Sequence, residues 1–181
     1  KMDFSADAVT LKSANGTPSI TRFGTGSITN DTGLAGPAAN GRDQAGAFSA
    51  STWIHFYYIW NGTTLATLSS TVAPATGPTM PTGYTHWAYV GAAFLNGSSQ
   101  FFQMKFRGAN AAYNAAQTAL AGGTATVETA VALSTMIPPN AGMVRLRIQY
   151  TDPTGAAVSH VARIRHTSTF DYFWFELFSN A

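Results

Sequence analysis

The chain has 181 residues, long enough for one domain with a sizeable core. Charged residues make up 10% of it, against roughly 25% in an ordinary soluble domain. Ten Lys plus Arg against eight Asp plus Glu leave a net charge of +2, too small for the concentrated basic footprint of nucleic-acid binding. The absence of cysteine excludes disulfide scaffolds, thiolate nucleophiles and cysteine zinc sites.

A surface built mainly from Gly, Ala, Thr and Ser is neutral and polar, which suits packing into an assembly better than life as a dilute monomer. No run of about 18 apolar residues is present, so no helical membrane span is expected. The chain opens on Lys1 and shows no charged region followed by an apolar one, so there is no signal peptide to read, and a first residue other than methionine points to a fragment or processed product.

Residues 1–46 are punctuated by Gly24, Gly26, Gly33, Gly36, Pro37 and Gly41 too often for a helix. They are expected to form an extended N-terminal arm or edge strands, with a short strand at Val9–Leu11. Residues 47–181 are expected to form the main domain. Its first strand, Trp53–Trp60, is apolar on both faces: period two puts Ile54, Phe56, Tyr58 and Trp60 on one side and Trp53, His55, Tyr57 and Ile59 on the other. Such a strand is central in a sheet covered on each side by a second sheet, a helix or another subunit.

Asn61-Gly62 turns the chain into a partner strand, Thr63–Val72. Pro74, Gly77, Pro78, Pro81 and Gly83 then make a loop that cannot pair into a sheet interior. Tyr84–Leu95 reads as the next strand, and Asn96-Gly97 turns it into Gln100–Arg107 as its hairpin mate, where Phe102, Met104 and Phe106 alternate with Gln103, Lys105 and Arg107. Ala109–Leu120 is the one candidate helix, ended by Gly122-Gly123, and the same stretch also reads as an Ala/Asn/Thr loop.

Thr126–Met136, Met143–Tyr150, Ala157–His166 and Thr169–Phe178 complete about nine strands spaced by turns, the pattern of an antiparallel β-sandwich of jelly-roll type. Four Asn-X-Ser/Thr sequons occur, at Asn15, Asn30, Asn61 and Asn96, and the Asn-Gly-Thr and Asn-Gly-Ser sequences read as turns rather than glycan acceptors.

The residues supply no catalytic or metal-binding signature. No Gly-X-Ser-X-Gly elbow is present, and His55 within its strand reads as a packed histidine. His160 and His166 lie roughly 20 Å apart along one strand, at about 3.3 Å per residue, and cannot share an ion. Asp171 and Glu176 have opposite parity and cannot flank one glycosidic bond. The chain is therefore expected to be no enzyme and to hold no metal or cofactor.

Two binding surfaces are candidates. Trp60, Tyr84, His86, Trp87 and Tyr89 border the Asn61-Gly62 turn and the Pro-rich loop, where aromatics could stack on sugar rings or meet a neighbouring subunit. Arg145 and Arg147 share one strand face, as do Arg163 and Arg165. If the Asp152–Gly155 turn pairs position 145 with 163, all four form one basic face for an anion, an acidic polysaccharide or a neighbour's carboxylates, and a one-residue change of register would separate them.

The run from Phe48 to Asn61 carries Ala50, Thr52 and Trp53; Pro78, Pro81, Gly83, Tyr84 and Thr85 follow in the loop, then Val90-Gly91, Asn96-Gly97 and Phe101-Phe102. This order, with Ile137-Pro138-Pro139-Asn140-Ala141 before a further strand, resembles a module of tail-fibre and other virion proteins of tailed bacteriophages and prophages, over roughly residues 42–150. Ile54 stands where an aromatic is common in that module, and Trp87-Ala88-Tyr89 where charged residues are frequent.

The resemblance implies a β-sandwich subunit of a phage particle, located in the virion, homotrimeric as fibres usually are, recognising a host surface glycan or joining other virion proteins. A head decoration or adaptor protein attached through its N-terminal arm, and a polysaccharide-degrading tailspike fragment, are the alternatives.

Overall fold

The computed structural model describes residues 1–14, 18–122, 127 and 129–147, and the backbone of 159–165 and 172–178. The described chain is all-β, with no helix. It divides into two compact units, Lys1–Gly142 and Met143–Ala181.

The first unit is organised by a six-stranded mixed sheet in the order β3-β2-β8-β6-β7-β5. Its centre is β6 (Thr52–Trp60), flanked by β8 (His86–Leu95) and β7 (Leu65–Ser70), both antiparallel to it. Residues 1–46 supply both edges. β2 (Ala8–Ser13) joins β8, with β3 (Ile20–Phe23) outside it, and β5 (Gly41–Arg42) runs parallel to β7. That parallel pairing makes the sheet mixed rather than purely antiparallel. The rest of the N-terminal segment forms a ribbon of β1 (Met2–Phe4) with β4 (Ile28–Asn30).

Strand β6 forms as its branched and aromatic content dictates, and the expected parity holds. Ile54, Phe56, Tyr58 and Trp60 are buried with Phe4, Leu11, Ala93 and Leu95, while Tyr57 and Ile59 are buried on the other face with Ala66, Leu68 and Trp87. At about 1.5–3 kcal/mol for each fully buried large side chain, this one strand anchors the unit. Both covers come from this chain. On the first face Phe4 packs on Phe56 at 5.1 Å between ring centroids, and Phe106 stands 6.4 Å from Phe4. On the second, Gly77 of the Pro-rich loop lies so close to the Trp87 ring that a Cβ would meet it at 2.7 Å, and Met80 and Tyr84 pack beside it.

Between Phe56 and Tyr57 the register with β8 shifts: Phe56 faces Gly91 but Tyr57 faces Tyr89, leaving Val90 as the extra residue of a bulge. Gly91 must be glycine for a separate reason. The Phe106 ring lies directly over it, 2.5 Å from where a Cβ would stand.

Several expected elements differ. Gln100–Arg107 does not run as the hairpin mate of β8: only Phe101 bridges to Leu95, and β9 (Met104–Arg107) instead pairs with β10 (Asn110–Tyr113). The candidate helix at 109–120 is accordingly absent. Its first residues serve a ladder, with Gly108 at φ +57° turning the chain, and β-pairing overrides the local preference of alanine. The described parts of Thr126–Met136 and Met143–Tyr150 form no strand. The Asx turns at Asn61 and Asn96 form as expected, each side-chain oxygen accepting two backbone N–H bonds. Asn30 is fully buried, donating to Gly41 O at 3.1 Å and Thr67 Oγ1 at 3.4 Å.

In the second unit β11 (Ser159–Arg165) pairs with β12 (Tyr172–Phe178) as an antiparallel hairpin.

Candidate functional site

The five aromatic positions do not come together as one platform. Trp60 and Trp87 lie on opposite faces of the sheet, each only 7% exposed. Cations cover both: the Arg22 guanidinium is 4.2 Å from the Trp60 ring centre and Lys12 Nζ is 3.8 Å from that of Trp87. Tyr84 packs at the margin of the second face. His86 is tied down by the Thr85 hydroxyl at Nδ1 (2.9 Å) and the Pro18 carbonyl at Nε2 (3.1 Å).

Tyr89, itself half-buried, belongs to a polar group on the second face with buried His55 and exposed Asn140. Asn140 donates to its hydroxyl oxygen at 3.1 Å, and the hydroxyl is 3.2 Å from His55 Nδ1. Burial holds the His55 pKa below its usual value and raises that of Tyr89, an effect the Asn140 bond partly offsets. A neutral His55 accepting at Nδ1 from the Tyr89 hydroxyl, which in turn accepts from Asn140, gives a consistent donor–acceptor order. Tyr57 beside it donates to Val72 O, and burial, then Tyr89 and Asp43, push its pKa far up. Through the Asn140 bond Tyr89 pins the 134–142 segment to the sheet. Trp53 does likewise, donating from Nε1 to Ser134 O at 2.7 Å.

The arginines are also distributed. Arg145 and Arg147 are exposed and lie in no strand, while Arg163 and Arg165 pair across the hairpin with Trp174 and Tyr172. The pairing of 145 with 163 that would unite all four is not formed among the described residues, and the Asp152–Gly155 turn lies outside them.

A cavity of about 620 Å³ opens on the first face, between the Met2–Thr10 segment and β9, within the range of about 300–1,000 Å³ usual for small-molecule sites. Tyr58, Ala88 and Val90 form its floor and Phe106 one wall, with Lys105 and Arg107 along β9 and Asp3 and Ser5 opposite. Asp3 accepts a short hydrogen bond from the Thr29 hydroxyl. Lys105 and Arg107 are exposed and have no carboxylate partner among the described residues.

The Tyr58 hydroxyl is sealed from solvent and unpartnered. Burial raises its pKa, and nearby Thr25 offsets part of that rise. A full hydrogen bond to Thr25 is not reached, and Thr25 Oγ1 already accepts from Ala6 N–H at 2.8 Å and donates to Gly26 O at 3.0 Å.

The cavity was not legible in the sequence. Lys105 and Arg107 read only as a wet strand face, and nothing marks Met2–Thr10 as its far wall. Buried Arg42 was missed too: 6% exposed, it donates to the carbonyls of Thr32 (2.8 Å), Ala45 (2.9 Å), Gly33 (3.3 Å) and Gln44 (3.4 Å), and so shapes the 32–45 loop. No cluster of three or more potential metal ligands occurs among the described residues, and no described helix is long and apolar enough to cross a membrane.

Comparison with protein families, with curated proteins and with solved structures returned no match for this chain.

Proposed function

We propose that the protein is a non-enzymatic structural and recognition subunit of a bacteriophage virion, a tail-fibre or receptor-binding module that contacts the host cell surface, assembled as a homotrimer with other virion proteins as neighbours. The observation that carries this reading is where the positions of the phage-module resemblance fall. Trp53 ties the 134–142 segment to the sheet. Gly83 takes a φ of +86°, Gly91 makes room for Phe106, and Asn96 caps a turn. They are devices of a scaffold, as a resemblance between structural proteins requires.

The fold is read as a sandwich of jelly-roll type in which the β1–β4 ribbon and β9 stand for the layer opposite the six-stranded sheet. A decoration protein attached through a separate N-terminal arm fits less well, since residues 1–46 supply both sheet edges. Two experiments test the proposal. Light scattering coupled to size exclusion is expected to give three times the chain mass; a stable monomer at all concentrations would remove the fibre trimer. A panel of bacterial surface polysaccharides is expected to show binding without cleavage, whereas release of oligosaccharides would favour the tailspike alternative.

A further inference from the structure

We propose that Asn61 is a site of spontaneous modification, in which the Gly62 backbone nitrogen displaces ammonia from the Asn61 side chain to give a succinimide that water opens to aspartate or isoaspartate, and that the fold protects the same pairing at Asn96. Both positions carry Asn-Gly, where no Cβ on the following residue shields the attacking nitrogen. The third such pairing, Asn15-Gly16, lies outside the described residues. Ring closure needs the Asn-Gly peptide plane to turn until its nitrogen faces the side-chain carbonyl carbon, and the rigid plane carries the asparagine C=O with it. At Asn96 that C=O is held, accepting from Ser99 N–H at 2.9 Å and Ser51 N–H at 3.3 Å, and the Asn96 N–H donates to Gln100 O at 2.9 Å. At Asn61 the C=O accepts no hydrogen bond and the Gly62 N–H donates none among the described residues, while the Asn61 N–H reaches Thr64 O only at 3.4 Å. The plane at Asn61 is free to turn.

The side chain of Asn61 is also the better electrophile. Its Oδ1 accepts from Thr64 N–H at 2.7 Å, Thr63 N–H at 3.0 Å and the Thr63 hydroxyl at 3.1 Å, whereas Asn96 Oδ1 accepts from Ser98 N–H at 2.9 Å and Gln100 N–H at 3.0 Å. Such donors draw electron density from Cγ and hold the negative charge that gathers on Oδ1 as the nitrogen adds. Hydroxide removes the Gly62 amide proton, the bond from nitrogen to Cγ forms, the bond from Cγ to Nδ2 breaks, and Nδ2 leaves as ammonia with a proton from water. Water then adds to one ring carbonyl and cleaves its bond to nitrogen. Residues 61–64 are all exposed, so water and hydroxide reach the turn. Either product places a negative charge between β6 and β7, and isoaspartate also lengthens the backbone there by a methylene.

The test is incubation of the full chain in mildly alkaline buffer, folded and, in parallel, unfolded in urea, followed by peptide mapping with mass detection and enzymatic methylation of isoaspartate. In the folded chain Asn61 is expected to convert about tenfold faster than Asn96, the worth of the two hydrogen bonds to the Asn96 C=O that have to break first. In urea, where neither turn persists, the two rates are expected to come together. Equal or faster conversion at Asn96 in the folded chain, or no conversion at Asn61, would overturn the proposal. A gap between the two sites that persists unchanged in urea would overturn it as well, because the residues next in sequence and not the fold would then set the rates.

Discussion

The two faces of the six-stranded sheet are covered in different ways. The face of Phe56 and Tyr58 is roofed by short strands, β1, β4 and β9, whose backbone groups are largely satisfied by their own ladders and which bring only side chains such as Phe4 and Phe106 to the sheet. The face of Tyr57 and Trp87 is roofed by irregular chain, the Pro-rich loop and the 134–142 segment. That chain is held by polar contacts from the sheet itself: Trp53 to Ser134, Tyr57 to Val72, and Tyr89 with His55 and Asn140.

A loop cannot satisfy its own backbone, so the sheet beneath it must carry donors and acceptors; a ribbon pairs its own backbone and reaches the sheet through few polar side chains, Asn30 among them, but its straight elements do not tile the surface and leave a cavity. The candidate site lies on the strand-roofed face for that reason.

The largest expected effect is on the strand-roofed core. Phe56 is fully buried and touches the Phe4 and Phe101 rings, so Phe56→Ala is expected to cost about 3–5 kcal/mol in urea unfolding. Next come the two glycines that let each roof approach the sheet. Gly77→Ala sets a Cβ against the Trp87 ring and also strains a φ of +83°, and Gly91→Ala sets one against Phe106 at an ordinary φ. Both are expected to cost about 1–3 kcal/mol, Gly77 the more, and hydrogen exchange should show each loosening its own roof alone. Loosening of both roofs by either change would dissolve the distinction between them.

The third effect is specific to the loop-roofed face. Burial holds His55 neutral in the folded state, with a pKa below the ordinary 6.5. Above that value both folded and unfolded states are neutral and nothing is lost. As pH falls below it the unfolded chain takes up a proton that the folded chain resists, so stability drops until the folded pKa is reached. Unfolding midpoints at pH 7.5 and 5.5 are expected to differ less in His55→Phe than in the parent chain; an unchanged difference would mean that His55 is accessible.

The smallest effect concerns the unpartnered phenol of the strand-roofed face. Tyr58→Phe removes a buried hydroxyl that makes no hydrogen bond and is expected to leave stability unchanged or raise it by up to about 1 kcal/mol. A loss above that would reveal a partner for the hydroxyl.

Sequence and tertiary structure divided the outcome by the range of the forces involved. The amino-acid pattern determined β6, its two-faced parity, the strands on either side of it, the Asx turns at Asn61 and Asn96 and the final hairpin, because period-two burial and turn chemistry act within a few residues. It was misleading at Asn110–Tyr113, where helical composition yields to a ladder with β9 just before it in the chain, and silent where a partner distant in sequence decides. Arg42 and Asn30 look like loop polar residues and are buried because the chain closes around them.

The candidate surfaces divide in the same way. Trp60 and Trp87, at the two ends of the turn and loop that join β6 to β8, were sent to opposite faces, while Asp3 and Lys105, about a hundred positions apart, were brought to one cavity by strands that cross the same face. Local pattern sets which side of a strand a residue occupies; only long-range pairing sets what stands opposite it.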